Sequence, residues 1–496
     1  MMSKSKASRA GKNTNDKASP QADKPKTPTF WLGVVTLLLV VAYLVPGLTG
    51  HAPVTQDEAN TFGVVSSMLE TGDVIVPKLD GEPFVANPPA YYLTAAGIAK
   101  ALDGSVAAPP GLSALGVTSL TLPPEDAARL ATGLYALILF GFTVLLGRAA
   151  WVREGRNEGQ GAIALLVLIG TLGLLLSAHT MTPEIALAAG VAMALYGLAI
   201  APRRVLWGGV WLGTGIGLAF LSKGLLGPAI LAVSALLVLL FRDWRSGRYL
   251  RALIVALIFA LPWLVIWPYL LFERDPALFH AWLWDSNLTN YMGNYLSGEA
   301  QSGAASAEYW LRTWPWVTFP ASILAVLSLV FRLPTVMSSN GVRAALVVSV
   351  VGWLMLLYAA SAQYVYALPL LAPLAVVGVG AVTVMPRWVA RPVHLLSFLL
   401  FAAAALLLWG LWGYHMLTGQ PYQSELLAQY VQTGGEFAWQ PIAFVGAALL
   451  TLLWFWVAMK FRRARAGALM VWPAGVVLLW GLVSLLHQPW LESVKI

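Results

Sequence analysis

Long apolar runs recur along this chain, and they limit what it can fold into more than any other feature. Thirteen stretches of roughly 17–23 residues carry almost no charge, the length that crosses a hydrocarbon core about 30 Å thick. They lie near 30–48, 127–147, 161–178, 183–201, 205–221, 225–241, 250–271, 315–331, 343–360, 365–384, 393–412, 441–459 and 468–486. Backbone inside lipid must satisfy its own hydrogen bonds, which leaves helices or a closed barrel. A barrel would read as short alternating segments, so the pattern predicts an all-α polytopic membrane protein with about thirteen transmembrane helices. The polar residues agree. Only 11% of the 496 residues are charged and 58% are hydrophobic, whereas a soluble domain carries about 25% charged residues. That excludes a cytosolic globular enzyme, a nucleic-acid-binding protein and a disordered chain. The sequence has no Cys, which removes disulfides and thiolate metal sites.

Charge placement predicts the sidedness. With the N-terminus inside and the C-terminus outside, the inner segments hold 24 of the 31 Lys and Arg, and the outer ones hold 18 of the 23 acids. Adding or losing one span would scramble that partition, and basic residues favour the cytoplasmic side. Residues 1–28, rich in Lys, Ser and Pro, read as a disordered cytoplasmic tail. Residues 29–486 form the transmembrane domain, its first span retained rather than cleaved as a signal peptide. Residues 487–496 are a short outer tail. The long loops, 50–126 and 272–314, both fall outside, where binding and catalytic residues concentrate on a helical scaffold.

The first loop has internal order. Between Glu58 and Glu70, the residues Phe62, Val65, Met68 and Leu69 share one helical face, as in an interfacial helix. A second short helix is predicted over 89–102, with Tyr91 and Tyr92 at the headgroup level. Just after the first span, Asp57 reads either as a carboxylate that accepts a proton from a hydroxyl or as an ordinary first-turn acid on a helix dipole. Glu184 follows Thr182 and Pro183, a cap and a first-turn proline that account for the acid by themselves. Lys223, before Gly224, reads as a snorkelling lysine at a helix end or as a point charge for a phosphate. The aromatics Tyr309, Trp310, Trp314 and Trp316 read as an interfacial belt, with stacking on a sugar as the secondary reading. The six His show no metal-ligand spacing; His179, Glu184 and Asp57 are the groups that could gather around a divalent ion.

Several segments, in order, resemble membrane glycosyltransferases that use polyprenyl-phosphate sugars. These are Gln56-Asp57-Glu58-Ala59, then Met68 to Leu79 with its Thr71-Gly72-Asp73 core, and Pro88-Pro89 with Tyr91-Tyr92. Ala128-Arg129-Leu130, Thr182-Pro183-Glu184 and Gly217 to Gly224 follow, and then Pro315-Trp316 and Ser361 to Pro369. Together they look like the superfamily of lipid A aminoarabinose transferases and protein O-mannosyltransferases, with its GT-C fold. Two departures stand out: where relatives that modify lipid A carry an acid and a Lys before the Pro-Pro pair, this chain has Ala86 and Asn87. A further Lys is replaced by Ala362. The long soluble C-terminal domain of several relatives is not expected here.

The resemblance implies an inverting transfer of a hexosyl or pentosyl group from a polyprenyl-phosphate donor to a periplasmic acceptor, at a bacterial inner membrane. Asp57 and Glu184 are then the catalytic acids. Glu58, Lys78, Lys223, Arg274, Arg312 and Tyr366 are the expected substrate contacts, and a divalent metal ion is left open. Competing classes are a lipid-linked-sugar flippase, opposed by the near absence of polar groups inside the spans, and a non-catalytic polyprenyl-phosphate-binding scaffold, suggested by Ala86, Asn87 and Ala362.

Overall fold

The computed structural model describes residues 29–53, 55–102, 106–107, 119–120, 122–151, 159–289, 301–359, 362–418, 440–462 and 467–487. The tail 1–28, residues 290–300 of the second loop and the outer tail with Lys495 lie outside them. Helices dominate what is described. In chain order they are α1 (Thr29–Leu44), α2 (Gln56–Thr71), α3 (Ala90–Leu102), α4 (Pro124–Ala150), α5 (Gln160–Ile169) and α6 (Leu172–Ser177). Next come α7 (Pro183–Ile200), α8 (Val205–Lys223), α9 (Leu226–Leu237), α10 (Gly247–Arg274), α11 (Gln301–Val317) and α12 (Ala321–Val336). The last are α13 (Asn340–Tyr358), α14 (Leu368–Val384), α15 (Arg387–Thr418), α16 (Pro441–Phe461) and α17 (Gly467–Leu482).

Among the described residues, nine helices are long and apolar enough to cross a membrane, and the pair α11–α12 passes as a tenth, bent by 87°. The chain is a multi-pass membrane protein. Three of the predicted spans are shorter helices, Trp31–Leu44, Gln160–Ile169 and Leu226–Leu240. Local chemistry explains two of them. Pro46, without an N–H, and Gly47 at φ 75° stop the first helix early. Gly170 and Thr171 divide the stretch 161–178 into α5 and α6. The predicted span 315–331 straddles the α11–α12 bend, where Pro320 interrupts the backbone ladder.

The first long loop folds as predicted into two short helices, α2 and α3, and both pack against the helical core. Helix α2 buries Val64, Val65 and Met68 in the main core, and α3 packs on both α2 and α4. Tyr91 and Tyr92, read as headgroup-level aromatics, are buried within the protein. The Tyr91 hydroxyl meets Thr132 on α4 at 2.6 Å, a polar partner inside the protein. Between the two helices a two-residue turn at Asp80-Gly81, both at positive φ, closes a small antiparallel ribbon pairing Lys78–Leu79 with Glu82–Pro83.

Helices α7 and α8 are antiparallel and make the most extensive contact among the described helices. Small residues allow it, as between membrane helices generally. A Cβ placed on Gly215 would fall 2.4 Å from the Ala194 backbone nitrogen. This close approach sets the N-terminal turn of α7 beside the C-terminal turn of α8, and those turns carry Glu184 and Lys223.

Candidate active site

Two ion-pair systems lie beneath the first long loop. The deeper one centres on Arg129, in the second turn of α4. Its Nε donates to Glu58 Oε1 at 2.8 Å, Nη1 to Asp126 Oδ1 at 2.6 Å, and Nη2 to the His51 carbonyl at 3.0 Å. Asp126 also accepts from the Gly50 N–H, and Glu58 from the Met181 N–H at 3.0 Å. The Arg129 and Glu58 side chains are both 0% exposed. Every carboxylate in this cluster is matched, so its desolvation is offset by charge-assisted bonds. Its effect is positional: one guanidinium ties the end of the first connection, the start of α2 and the segment just before α7 to α4.

The second system opens onto a cavity of about 490 Å³, within the usual range for small-molecule sites. Lys223 Nζ sits 2.6 Å from Glu184 Oε1, with the two side chains 15% and 6% exposed. The Thr182 hydroxyl donates to the other oxygen of Glu184. That bond corrects the capping account of this segment, because Thr182 makes no side-chain bond to the helix backbone. Lys223 does not snorkel away either; its ammonium stands 5.6 Å from the Tyr366 ring centre, on the cavity wall. Asn87 donates to the hydroxyl of Tyr92 on the same wall. Burial, above all, pushes the Tyr92 hydroxyl up to about 12, so it stays protonated at neutral pH.

Asp57 lies on the rim. It occupies the first turn of α2, capped by Thr55, whose side chain accepts from the Glu58 N–H. Successive helical positions point in different directions, so Glu58 turns inward to Arg129 while Asp57 lines the cavity. Among the described residues, Asp57 has no side-chain hydrogen bond or ion pair. An unengaged carboxylate thus shares one cavity with a held ammonium. That arrangement can accept a proton at one point and stabilise a growing negative charge at another.

The structure therefore gathers Asp57, Glu58, Glu184, Lys223 and Tyr366 around one space. It leaves Lys78, Arg274 and Arg312 outside that lining. Lys78 is exposed on the ribbon, Arg274 pairs with Asp73 at 3.0 Å, and Arg312 pairs with Glu308 one turn away in a solvent-exposed bridge. Proximity to a span boundary does not say which way a side chain points. The departures from the family pattern do matter locally, since Ala86, Asn87 and Ala362 all line the cavity and, among the described residues, Lys223 is its one lining cation. Sequence reading did not single out Thr182 or Tyr364 as cavity residues; the tyrosine pair around Val365 was the available signal. The aromatic belt splits: Trp316 is exposed, Trp310 is buried and Tyr309 lines the cavity.

His179, one of the groups that could gather around a divalent ion, is engaged elsewhere. Both ring nitrogens of His179 lie 2.6 Å from backbone oxygens, of Leu175 and Tyr43, and burial lowers the ring to about 4. Among the described residues, no group of three or more His, Asp or Glu is placed to hold an ion.

No family model matches the chain. Curated relatives do. It is 28% identical over 304 residues to an undecaprenyl phosphate-α-4-amino-4-deoxy-L-arabinose arabinosyl transferase of Sodalis glossinidius, covering 58% of this chain and 48% of that protein. It is 26% identical over 335 residues to the enzyme of that name from Pseudomonas aeruginosa, covering 64% and 53%. The chain thus spans about half the length of the curated relatives it matches. Among solved structures, ArnT from Cupriavidus metallidurans bound to undecaprenyl phosphate superposes with a TM-score of 0.66 at 18% identity, covering 93% of this chain and 78% of that one. The chain is related in sequence to aminoarabinose arabinosyl transferases and has the ArnT-like GT-C fold.

Proposed function

We propose that this protein is an integral-membrane glycosyltransferase that moves a sugar from a polyprenyl-phosphate donor to an acceptor at the periplasmic face. The names of its relatives favour a pentosyl donor; envelope lipid, glycan and protein remain the acceptor classes. The charge partition supports thirteen crossings, with the N-terminus inside and the C-terminus outside. On that orientation the cavity faces the periplasm.

One observation carries the reading: Asp57, an unengaged carboxylate, lines the same cavity as the Glu184–Lys223 pair. In the proposed step the acceptor hydroxyl oxygen bonds to the anomeric carbon from the face opposite the phosphate. The carbon–oxygen bond to phosphate breaks and leaves its electron pair on the phosphate oxygen. The hydroxyl proton passes to Asp57, and Lys223 stabilises the departing phosphate in a site sheltered from water. Glu184, the assisting acid, holds the ammonium in place, and the Tyr366 face supports it.

A second reading, a non-catalytic polyprenyl-phosphate-binding scaffold, draws on Ala86, Asn87 and Ala362, which leave the described lining with one cation. A single assay tests both. Purified protein is incubated with a radiolabelled polyprenyl-phosphate sugar and a membrane extract as acceptor source. Transfer by the wild type and a loss of about 10²–10⁴-fold in Asp57→Asn, with unchanged thermal stability, is the expected result. Full transfer by Asp57→Asn would sink the mechanism; label that binds but never leaves the lipid would favour the scaffold.

A further inference from the structure

A larger cavity, about 620 Å³, lies at the opposite end of the helices that carry the candidate site. Helix α7 runs from Glu184, at the candidate site, to Ile200, at this second cavity. Eighteen residues of helix cover about 27 Å, close to the thickness of one hydrocarbon core. The second cavity is therefore level with the other membrane face, which the proposed orientation makes cytoplasmic.

Its chemistry is distinctive. Arg148, near the end of α4, and Arg203 and Arg204, in the turn between α7 and α8, all line it. Among the described residues no acidic side chain lines it, and the three arginines, all solvent-exposed, have no ion-pair partner there. The α12–α13 connection adds Ser338, the start of α13 adds Asn340, and Leu145 supplies apolar surface facing outward from α4. Trp151 forms a fixed wall, its indole N–H donating to the Val376 carbonyl at 2.9 Å.

Three guanidinium groups lining one space repel each other, weakly where water screens them, and an anion among them lowers that repulsion. Guanidinium matches phosphate oxygens with paired donors. Cations just outside a membrane span also attract anionic headgroups. A basic inner end satisfies the topology rule wherever the charges point, but that rule does not require them to converge on a cavity. We propose that this cavity binds the phosphate of an anionic phospholipid headgroup in the inner leaflet, with the acyl chains leaving along Leu145.

The test uses the full chain and does not depend on catalysis. Protein in detergent is given phosphatidylglycerol, phosphatidylcholine or inorganic phosphate, and bound lipid is read by native mass spectrometry. Thermal shift is followed in parallel. Wild type is expected to retain phosphatidylglycerol over phosphatidylcholine by about tenfold to a hundredfold. The R148Q/R203Q/R204Q variant is expected to lose that preference. R148K/R203K/R204K, which keeps the charge, should retain part of it and shows that changes at these positions are tolerated. R248Q/R251Q removes two exposed cations of the same face outside the cavity and should behave as wild type. Equal preference in the glutamine triple variant and the wild type would overturn the proposal. So would an equal loss in R248Q/R251Q, or a stabilisation by inorganic phosphate as large as that by the lipid.

Discussion

Arg129 and Lys223 each sit near the end of a helix and each holds a buried glutamate, yet the two systems are built for different work. All three guanidinium nitrogens of Arg129 donate to protein, and its pair with Glu58 is sealed from solvent. Lys223 holds Glu184 at the same kind of distance but faces a cavity, also lined by Asp57, which has no side-chain partner among the described residues. A closed pair spends its charge on positioning. An open one leaves charge available to a ligand. The two are linked mechanically, because Glu58 and Asp57 are neighbours on α2 and Met181, bonded to Glu58, precedes Glu184 by three residues.

Breaking the closed system should have the largest effect. Arg129→Met leaves Glu58 and Asp126 buried without their cation, and is expected to cost about 3–5 kcal/mol of stability. Thermal unfolding in detergent would register it, and adding Glu58→Leu and Asp126→Leu should restore much of the loss, since an apolar replacement removes the stranded charges. If Arg129→Met unfolds like the wild type, the cluster is not the strut described above. Lys223→Met should divide differently: a loss of about 10²–10³-fold in transfer with a smaller change in unfolding. The reverse division, intact transfer with collapsed stability, would make the open pair a second strut.

Thr182→Val sharpens the comparison further. It removes the hydroxyl bonded to Glu184 while keeping the shape, and the expected loss is at most about 1.5–3 kcal/mol. A cap would instead have shown its effect on helix α7 itself, readable by amide exchange at its first turn. The smallest effect belongs to Arg312→Ala. Its bridge to Glu308 is 78% and 63% exposed on the two sides, so stability should stay within about 1 kcal/mol and transfer should not change. A strong loss of transfer there would mean the site reaches well beyond the cavity.

Several parts of this arrangement could be read from the residues. The helical membrane class, the two loop helices, and the placing of Asp57 and Glu184 at helix starts all follow from local pattern. Helix α2 runs over Gln56–Thr71 and α3 over Ala90–Leu102, close to the predicted spans. Three-residue signals were less reliable. Thr182-Pro183-Glu184 has the form of a capped helix start, but the threonine hydroxyl found the carboxylate rather than an N–H. Arg274 and Arg312 met the same criterion as Lys223, nearness to a span end, and turned elsewhere.

Apolar periodicity and the one-sided spread of charge suffice to specify a membrane-embedded helical chain, because lipid admits few backbone arrangements and each leaves its own local signature. They are silent on which acid meets which base. Glu58 finds Arg129 71 positions away, and Glu184 finds Lys223 across two antiparallel helices brought close by Gly215. Such pairings depend on how helices approach and rotate against each other. That is settled by packing among residues distant in the chain, and only the folded molecule brings those together.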